Sequence, residues 1–224
     1  HLAHRRQRQM CIRDSFITVQ DLDSNRGVVY SNYRSGGTNR IIAYHSWDDF
    51  EDADRNTNAP NIIMTGSLDG NVSAIKVSPY TTDSSTIFVG TESGSVFKVT
   101  NADTADANDN STANWSNITG SQFLGSVSDI EFGKDENHLF VTFHNYGVEN
   151  IFYSEDGGQS WTEKEGNLPD IPVRCILQNP LSLNEVIIGT ELGVWYTKNF
   201  ESDNPDWSRA NSGMSDVRIT DLDM

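Results

Sequence analysis

The chain has 224 residues, 36% hydrophobic and 10% aromatic, which is enough apolar side chain for one large domain and excludes a disordered polypeptide. Its 16 basic residues stand against 32 acidic ones, a formal charge of −16 that argues against nucleic acid as a partner. No apolar run approaches the roughly 18 residues of a membrane span, and the two cysteines, Cys11 and Cys175, make neither a disulfide framework nor a thiolate zinc site.

Residues 1–15, HLAHRRQRQMCIRDS, hold four of the sixteen basic residues, carry no repeat signature and lack the apolar stretch of a signal peptide. They read as a non-native or disordered tail outside the fold. RRQRQMCIRDS resembles translated sequencing-adapter read-through, the alternative being a basic tail for an anionic surface. Cys175 is then the remaining thiol, in the apolar VRCIL context of a core residue.

From Phe16 onward the chain reads as one partial propeller, residues 16–224, built of repeated units. The first, 16–70, is divergent; its Asp21-Leu22-Asp23 echoes Asp221-Leu222-Asp223 near the other end. The second, 71–126, holds the short apolar runs VSAIKV, TIFVGT, SVFKV and WSNIT, each bounded by turn residues. The third, 127–172, repeats the pattern as VSDIEF, HLFVTF, ENIFYS and SWTEKE. The fourth spans 173–216, and VRITDLDM at 217–224 opens the next. Val127 and Val173, Gly147 and Gly193, and Trp161 and Trp207 are each 46 residues apart, so units three and four are expected to align without a gap. Four strands in about 45 residues, repeated, predict an all-β fold. It is a β-propeller fragment of about four four-stranded blades plus the first strand of a further blade.

One segment, SEDGGQSW from Ser154 to Trp161, fits the pattern S-x-D-x-G-x-x-W. Placed between a third and a fourth strand, Ser154 and Asp156 would bond turn amides, Gly158 would supply permissive backbone and Trp161 would pack between blades. Degenerate copies are expected at Asn108 and Asn110 before Trp115, and at Ser202 and Asn204 before Trp207. On this motif, and on phrases such as VSPYTTDSSTIFVGTESG and EVIIGTELGVWYT, residues 16–224 resemble the Asp-box (BNR-like) propellers. That group includes sialidases, xyloglucanases, sortilin-type receptors and large secreted proteins of marine Bacteroidetes. The resemblance implies an extracellular setting and structural roles for Ser154, Asp156, Gly158 and Trp161. It carries over no catalytic residue. The Arg-Ile-Pro motif of sialidases and the Asp-Val-Gly-Gly type of motif of xyloglucanases are absent, and only the reversed Ile171-Pro172-Val173-Arg174 occurs.

In a propeller the loops from strand two to three and from strand four to the next blade share one face, opposite the SEDGGQSW turn. That face would present Tyr33, Arg34, Glu92, His144, Asn145, Tyr146 and Glu191, with Arg174 and Arg218 at the second position of successive inner strands. Aromatic, amide and charged groups together suit a polysaccharide or an extracellular protein; ordinary loop and channel-lining use is the alternative. The carboxyls nearest the channel, Asp129, Glu131 and Asp221, are the candidates for glycoside hydrolysis. His45, His138 and His144 lack metal-ligand spacing, and no cofactor is expected; the acidic loops 47–58 and 101–110 are the only places suited to calcium. The reading is a non-catalytic extracellular module with a glycan- or protein-binding face. The alternative is a divergent glycoside hydrolase whose catalytic residues fall mostly outside these 224.

Overall fold

A computed structural model describes residues 19–45, 62–64, 68–104, 113–210, 213 and 216–223. The tail 1–15, the acidic loop 47–58 and the motif positions Asn108 and Asn110 lie outside the described residues.

Four antiparallel sheets follow one another along the chain, each with four strands in sequence order. Blade one holds β1 (Gln20–Asp23), β2 (Val28–Ser35), β3 (Thr38–His45) and β4 (Ile62–Met64). Blade two holds β5 (Val72–Val77), β6 (Ile87–Thr91), β7 (Val96–Thr100) and β8 (Asn114–Asn117). In blade three come β9 (Val127–Phe132), β10 (Leu139–Phe143), β11 (Ile151–Ser154) and β12 (Thr162–Glu163). Blade four has β13 (Val173–Gln178), β14 (Val186–Thr190), β15 (Gly193–Thr197) and β16 (Ser208–Arg209). The first strands of consecutive blades, β1, β5, β9 and β13, lie against one another and form the inner wall.

The core is divided among the seams between blades, because each short strand alternates its side chains between the blade before it and the blade after it. In β6, Ile87 and Val89 join the cluster shared with blade one, while Phe88 joins the cluster shared with blade three. β10 repeats this: Leu139 and Val141 face back toward blade two, and Phe140 faces forward into blade four. All six are fully buried, and each such side chain contributes roughly 1.5–3 kcal/mol by leaving water. The strands therefore hold because both faces are covered.

The Ser154–Trp161 turn is closed by its own side chains. Ser154 Oγ donates to Asp156 Oδ1 at 2.8 Å and accepts the Gly158 N–H at 2.8 Å. Asp156 also accepts the Ser160 N–H at 2.8 Å and the Ser160 hydroxyl at 2.6 Å, and these bonds hold its carboxyl down at about 2. Gly158 needs φ +90°, and a Cβ there would lie 2.8 Å from Ile118 of blade two. Trp161 reaches the same residue, donating its indole N–H to the Ile118 carbonyl at 2.8 Å. One repeat later, Trp207 donates to the Lys164 carbonyl at 3.1 Å, so these two tryptophans tie their blades to the preceding ones, whereas the buried indole N–H of Trp115 has no such partner.

Three sequence expectations shift. Val186 opens the second strand of blade four 47 residues after Leu139, but their cross-strand partners Thr197 and Ser154 are only 43 apart, so the 46-residue match of units three and four conceals a shorter hairpin compensated by a longer connection to the fourth strand. The degenerate motif of blade four sits at Thr197 and Asn199, ahead of Ser202 and Asn204. Thr197 Oγ1 donates to Asn199 Oδ1 at 2.7 Å and accepts the Asn199 N–H at 3.3 Å, the same pair of bonds as Ser154 and Asp156. Finally, the segment after blade four is framed on Ile219 and not on Val217. Gly193 N–H bonds the Val217 carbonyl, Ile219 N–H bonds the Thr190 carbonyl, and Ile219 fills the hollow beside Gly189 as Val127 fills the one beside Gly90.

Candidate functional site

The inner strands carry a repeated irregularity that builds the site. β5, β9 and β13 each skip one residue in their pairing with the second strand, and the residue skipped is Ser73, Ser128 and Arg174 in turn. Such bulges re-aim a side chain. All three line one cleft of about 470 Å³ at the mouth of the channel, as does Thr220, the residue after Ile219.

A second ring of positions comes from the residue after the last one that each second strand pairs with its inner strand. Asn32, Glu92, His144 and Glu191 each donate their backbone N–H to the residue preceding the inner strand of the same blade: Val19, Asn71, Ser126 and Pro172. The four sites are therefore equivalent in backbone and different in side chain. Asn32, Glu92 and His144 line the cleft directly, together with Tyr33, Arg34 and Asn39 from the β2–β3 hairpin.

Glu191 stands behind the wall and holds two of its members. Arg174 Nε donates to Glu191 Oε1 at 2.7 Å, and His144 Nε2 meets the same oxygen at 2.6 Å. The bond to His144 and then that to Arg174 hold the Glu191 carboxyl below its ordinary range. Blade three and blade four are thereby joined at the mouth. On the opposite side, Asn71 Nδ2 donates to Glu92 Oε2 at 2.7 Å. Ser128 Oγ donates to the Val173 carbonyl at 2.7 Å, whereas the equivalent Ser73 Oγ is buried in the cleft wall without a hydrogen-bond partner.

Of the sequence-predicted face, Tyr33, Arg34, Glu92, His144 and Arg174 come together in the cleft. Asn145 is used by the scaffold, accepting the Ser126 N–H at 2.7 Å. Tyr146 does not line the cleft and is 64% exposed, on a loop pinned by the bond from Gly147 N–H to Asp170. Arg218 is exposed outside it, and Thr220 takes the place predicted for it, because the repeat frame begins at Ile219. Asn32, Asn39 and the bulged Ser73 and Ser128 were not singled out from sequence. The second position of each inner strand, already the basis for choosing Arg174, was the signal that pointed to the two serines.

Below the mouth, Asp129 and Glu131 of the three carboxyls considered for hydrolysis serve the seams, whereas Asp221 is exposed and accepts the N–H of its neighbour Leu222. Asp129 Oδ2 accepts the Ile176 N–H of blade four at 3.1 Å, as Asp21 accepts the Val77 N–H of blade two at 2.7 Å. Burial and then the neighbouring Glu131 raise Asp129 to about 7. Glu131 is itself paired with Lys76 at 2.5 Å. In the second acidic loop, Asp103 is buried and accepts from Arg26 at 2.9 Å and from the Ser85 N–H at 2.8 Å, which commits it to the seam of blades one and two. Among the described residues no three His, Cys, Asp or Glu side chains gather as a metal site, and no helix is long and apolar enough to cross a membrane. Cys175 is a buried free thiol, raised by burial to about 12.

No protein-family model matches the chain, and no curated protein matches it in sequence. Solved structures do resemble it. A GH74 enzyme from Niastella koreensis matches with a TM-score of 0.58 at 14% identity, over 87% of this chain and 30% of that one. The GH74 xyloglucanase from Xanthomonas campestris matches with a TM-score of 0.57 at 11% identity, over 86% of this chain and 30% of its own. An ancestral GH74 enzyme gives 0.56 at 22% identity, over 88% and 24%. The chain thus spans less than a third of the length of these three enzymes. At these identities the likeness concerns the fold, which is that of consecutive β-propeller blades.

Proposed function

We propose that the chain is part of an extracellular β-propeller of the Asp-box type that binds a polysaccharide, without cleaving it, at the mouth of its channel. The observation that carries this reading is the cleft of about 470 Å³ on which five successive inner segments converge. Its wall offers an aromatic ring at Tyr33, guanidinium groups at Arg34 and Arg174, the imidazole of His144 and several amides and hydroxyls. Such a mixture of one ring face and many hydrogen-bonding groups matches a sugar, which has apolar C–H faces and a hydroxyl rim. The structural neighbours are glycan-acting enzymes, which agrees with a polysaccharide over a protein ligand.

The test is calorimetric titration of the 224-residue chain with xyloglucan oligosaccharides and with a panel of neutral and acidic polysaccharides. Arg174→Ala and Tyr33→Ala are each expected to weaken binding at least tenfold, about 1.4 kcal/mol. Unchanged affinity in both variants, or binding only to protein ligands, would overturn the reading.

A divergent glycoside hydrolase is the second reading, and one observation favours it. Asp129, at about 7 and beside Glu131, has the raised carboxyl that a general acid needs. Its bond to the Ile176 amide speaks for a scaffold role instead. Release of reducing sugar that disappears in Asp129→Asn would establish the enzyme.

A further inference from the structure

In a chain with 32 acidic residues and 16 basic ones, the cleft at the channel mouth has the reverse balance. Among the described residues its wall holds two guanidiniums, Arg34 and Arg174, and one carboxylate, Glu92. Glu92 is partly engaged, because its Oε2 accepts from Asn71 Nδ2 at 2.7 Å. Glu191, behind the wall, is held by Arg174 and His144.

Several donors of the wall have no partner. Arg34 stands on the β2–β3 hairpin, its backbone paired with Asn39, and both line the cleft. It is exposed and meets no carboxylate or hydrogen-bond acceptor among the described residues, whereas Arg26, Lys76, Lys98 and Arg209 each pair with a carboxylate. Arg174 is fixed from behind. Its Nε at 2.7 Å and Nη2 at 2.5 Å both meet Glu191 Oε1, which leaves the Nη1 hydrogens without a partner in the described chain. Ser73 Oγ is buried in the same wall with no hydrogen bond, one that a ligand oxygen would complete.

Such a surplus of donors suits a ligand that accepts. A sugar hydroxyl both donates and accepts, whereas a carboxylate only accepts, and its two oxygens match the planar fork of a guanidinium. Resting on the reading of the mouth as a polysaccharide site, we propose that its ligand is an acidic polysaccharide containing uronic acid residues. Arg34 holds a uronate carboxylate, and the Nη1 hydrogens of Arg174 and the Ser73 hydroxyl donate to further oxygens of the same sugar chain. The formal charge of −16 opposes a polyanion at long range, so recognition depends on the contact with Arg34.

The test is calorimetric titration of the 224-residue chain with three oligosaccharides of equal length. They are an oligogalacturonate, the same oligomer with its carboxyls reduced to primary alcohols, and a sulfated galactan fragment. The oligogalacturonate is expected to bind about tenfold tighter than its reduced form, and tighter than the sulfated fragment. Arg34→Gln should bring the first ratio to within about twofold, and Arg34→Lys, which keeps the charge and loses the fork, should restore only part of it. Arg34 is exposed, so an unchanged melting temperature is expected and shows that both variants are folded. Affinity for the charged oligomer no higher than for the reduced one, or a preference that survives Arg34→Gln, would overturn the inference and leave the polysaccharide reading standing. Tightest binding of the sulfated fragment would assign the cleft to a sulfated glycan and overturn it too. Binding of none of the three, nor of the xyloglucan oligosaccharides, would overturn both the inference and the reading beneath it.

Discussion

The two rims of this propeller are built from the same repeat and treat polar side chains in opposite ways. On the rim of the Ser154–Trp161 turn, polar groups meet partners within the chain. Ser154, Asp156 and Ser160 bond one another, and Glu136 of blade three accepts from Ser78 Oγ at 2.5 Å, Thr81 Oγ1 at 2.5 Å and Lys98 Nζ at 2.7 Å of blade two. On the channel-mouth rim, positions with equivalent backbones hold Ser73, Ser128 and Arg174, or Asn32, Glu92, His144 and Glu191, and most of these face an open cleft. A repeat fold can vary the second rim freely because the first, with the seams, holds the blades together. Recognition and stability should therefore respond to different substitutions.

The largest stability loss is expected at the seams. Trp207 is 3% exposed, sits in the cluster of Phe140, Val186 and Phe200, and donates to the Lys164 carbonyl. Trp207→Ala should cost about 3–5 kcal/mol in denaturant unfolding. Trp207→Phe, which keeps the ring packing and removes the bond, should cost about 1 kcal/mol. Equal losses in the two variants would show that the bond, and not the packing, joins the blades.

Solution pH should act on the seams next. Burial raises Glu165 to about 7, despite its bond from the Asn150 N–H, and Asp129 is raised in the same direction. In the unfolded chain both release their protons near the ordinary carboxylate range. The folded state holds more protons in between, so stability falls as pH rises from about 4.5 to 7, on the order of 2 kcal/mol for Glu165. Glu136, Asp135, Asp156 and Glu191 are held below their ordinary values, so stability also falls as pH drops below about 4.5. Melting temperature should peak near pH 5, roughly between the two limbs. Glu165→Gln should flatten the alkaline limb; an unchanged limb would remove Glu165 as its cause.

A smaller loss is expected at the rim of fixed bonds. Glu136 and Lys98 are 19% and 23% exposed, so solvent screens the pair and Glu136→Ala should cost about 1–2 kcal/mol. Binding at the cleft on the other rim should be unaffected, as measured by the same titration.

How much of this was legible in the sequence depended on what repeats and what does not. The strand count and the tryptophans were legible because turn residues bound every apolar run and the indoles recur at a fixed spacing. The position of the Thr197–Asn199 pair was hidden, since Thr replaces Ser, Asn replaces Asp, and ten residues now separate Thr197 from Trp207 where seven separate Ser154 from Trp161. At the cleft, Tyr33, Glu92 and His144 could be read from loop position, and Arg174 from the second position of its inner strand. The bulges at Ser73 and Ser128 could not, because a bulge is a property of pairing between strands and leaves no mark in one strand's composition. Val217-Arg218 matches Val173-Arg174 by residue type, yet the 46-residue spacing points to Ile219. Spacing was the better guide, because the contact at Gly189 depends on path length along the chain and not on side-chain identity.

The smallest stability effect and the sharpest test of the comparison both belong to Glu191. Its side chain is 23% exposed and its partners Arg174 and His144 are 24% and 34% exposed, so the pairs are screened and Glu191→Gln should shift stability by less than about 0.5 kcal/mol. Gln retains an oxygen to accept from both Arg174 and His144 but loses the charge that holds the guanidinium in place. Polysaccharide affinity should then fall about threefold to tenfold. Glu191→Ala, which frees both side chains, should lose more. If Glu191→Gln instead lowered the melting temperature as far as Glu136→Ala while leaving affinity intact, the mouth would be one more scaffold seam, and the division between a rim that holds and a rim that recognises would fail at the residue chosen to represent it.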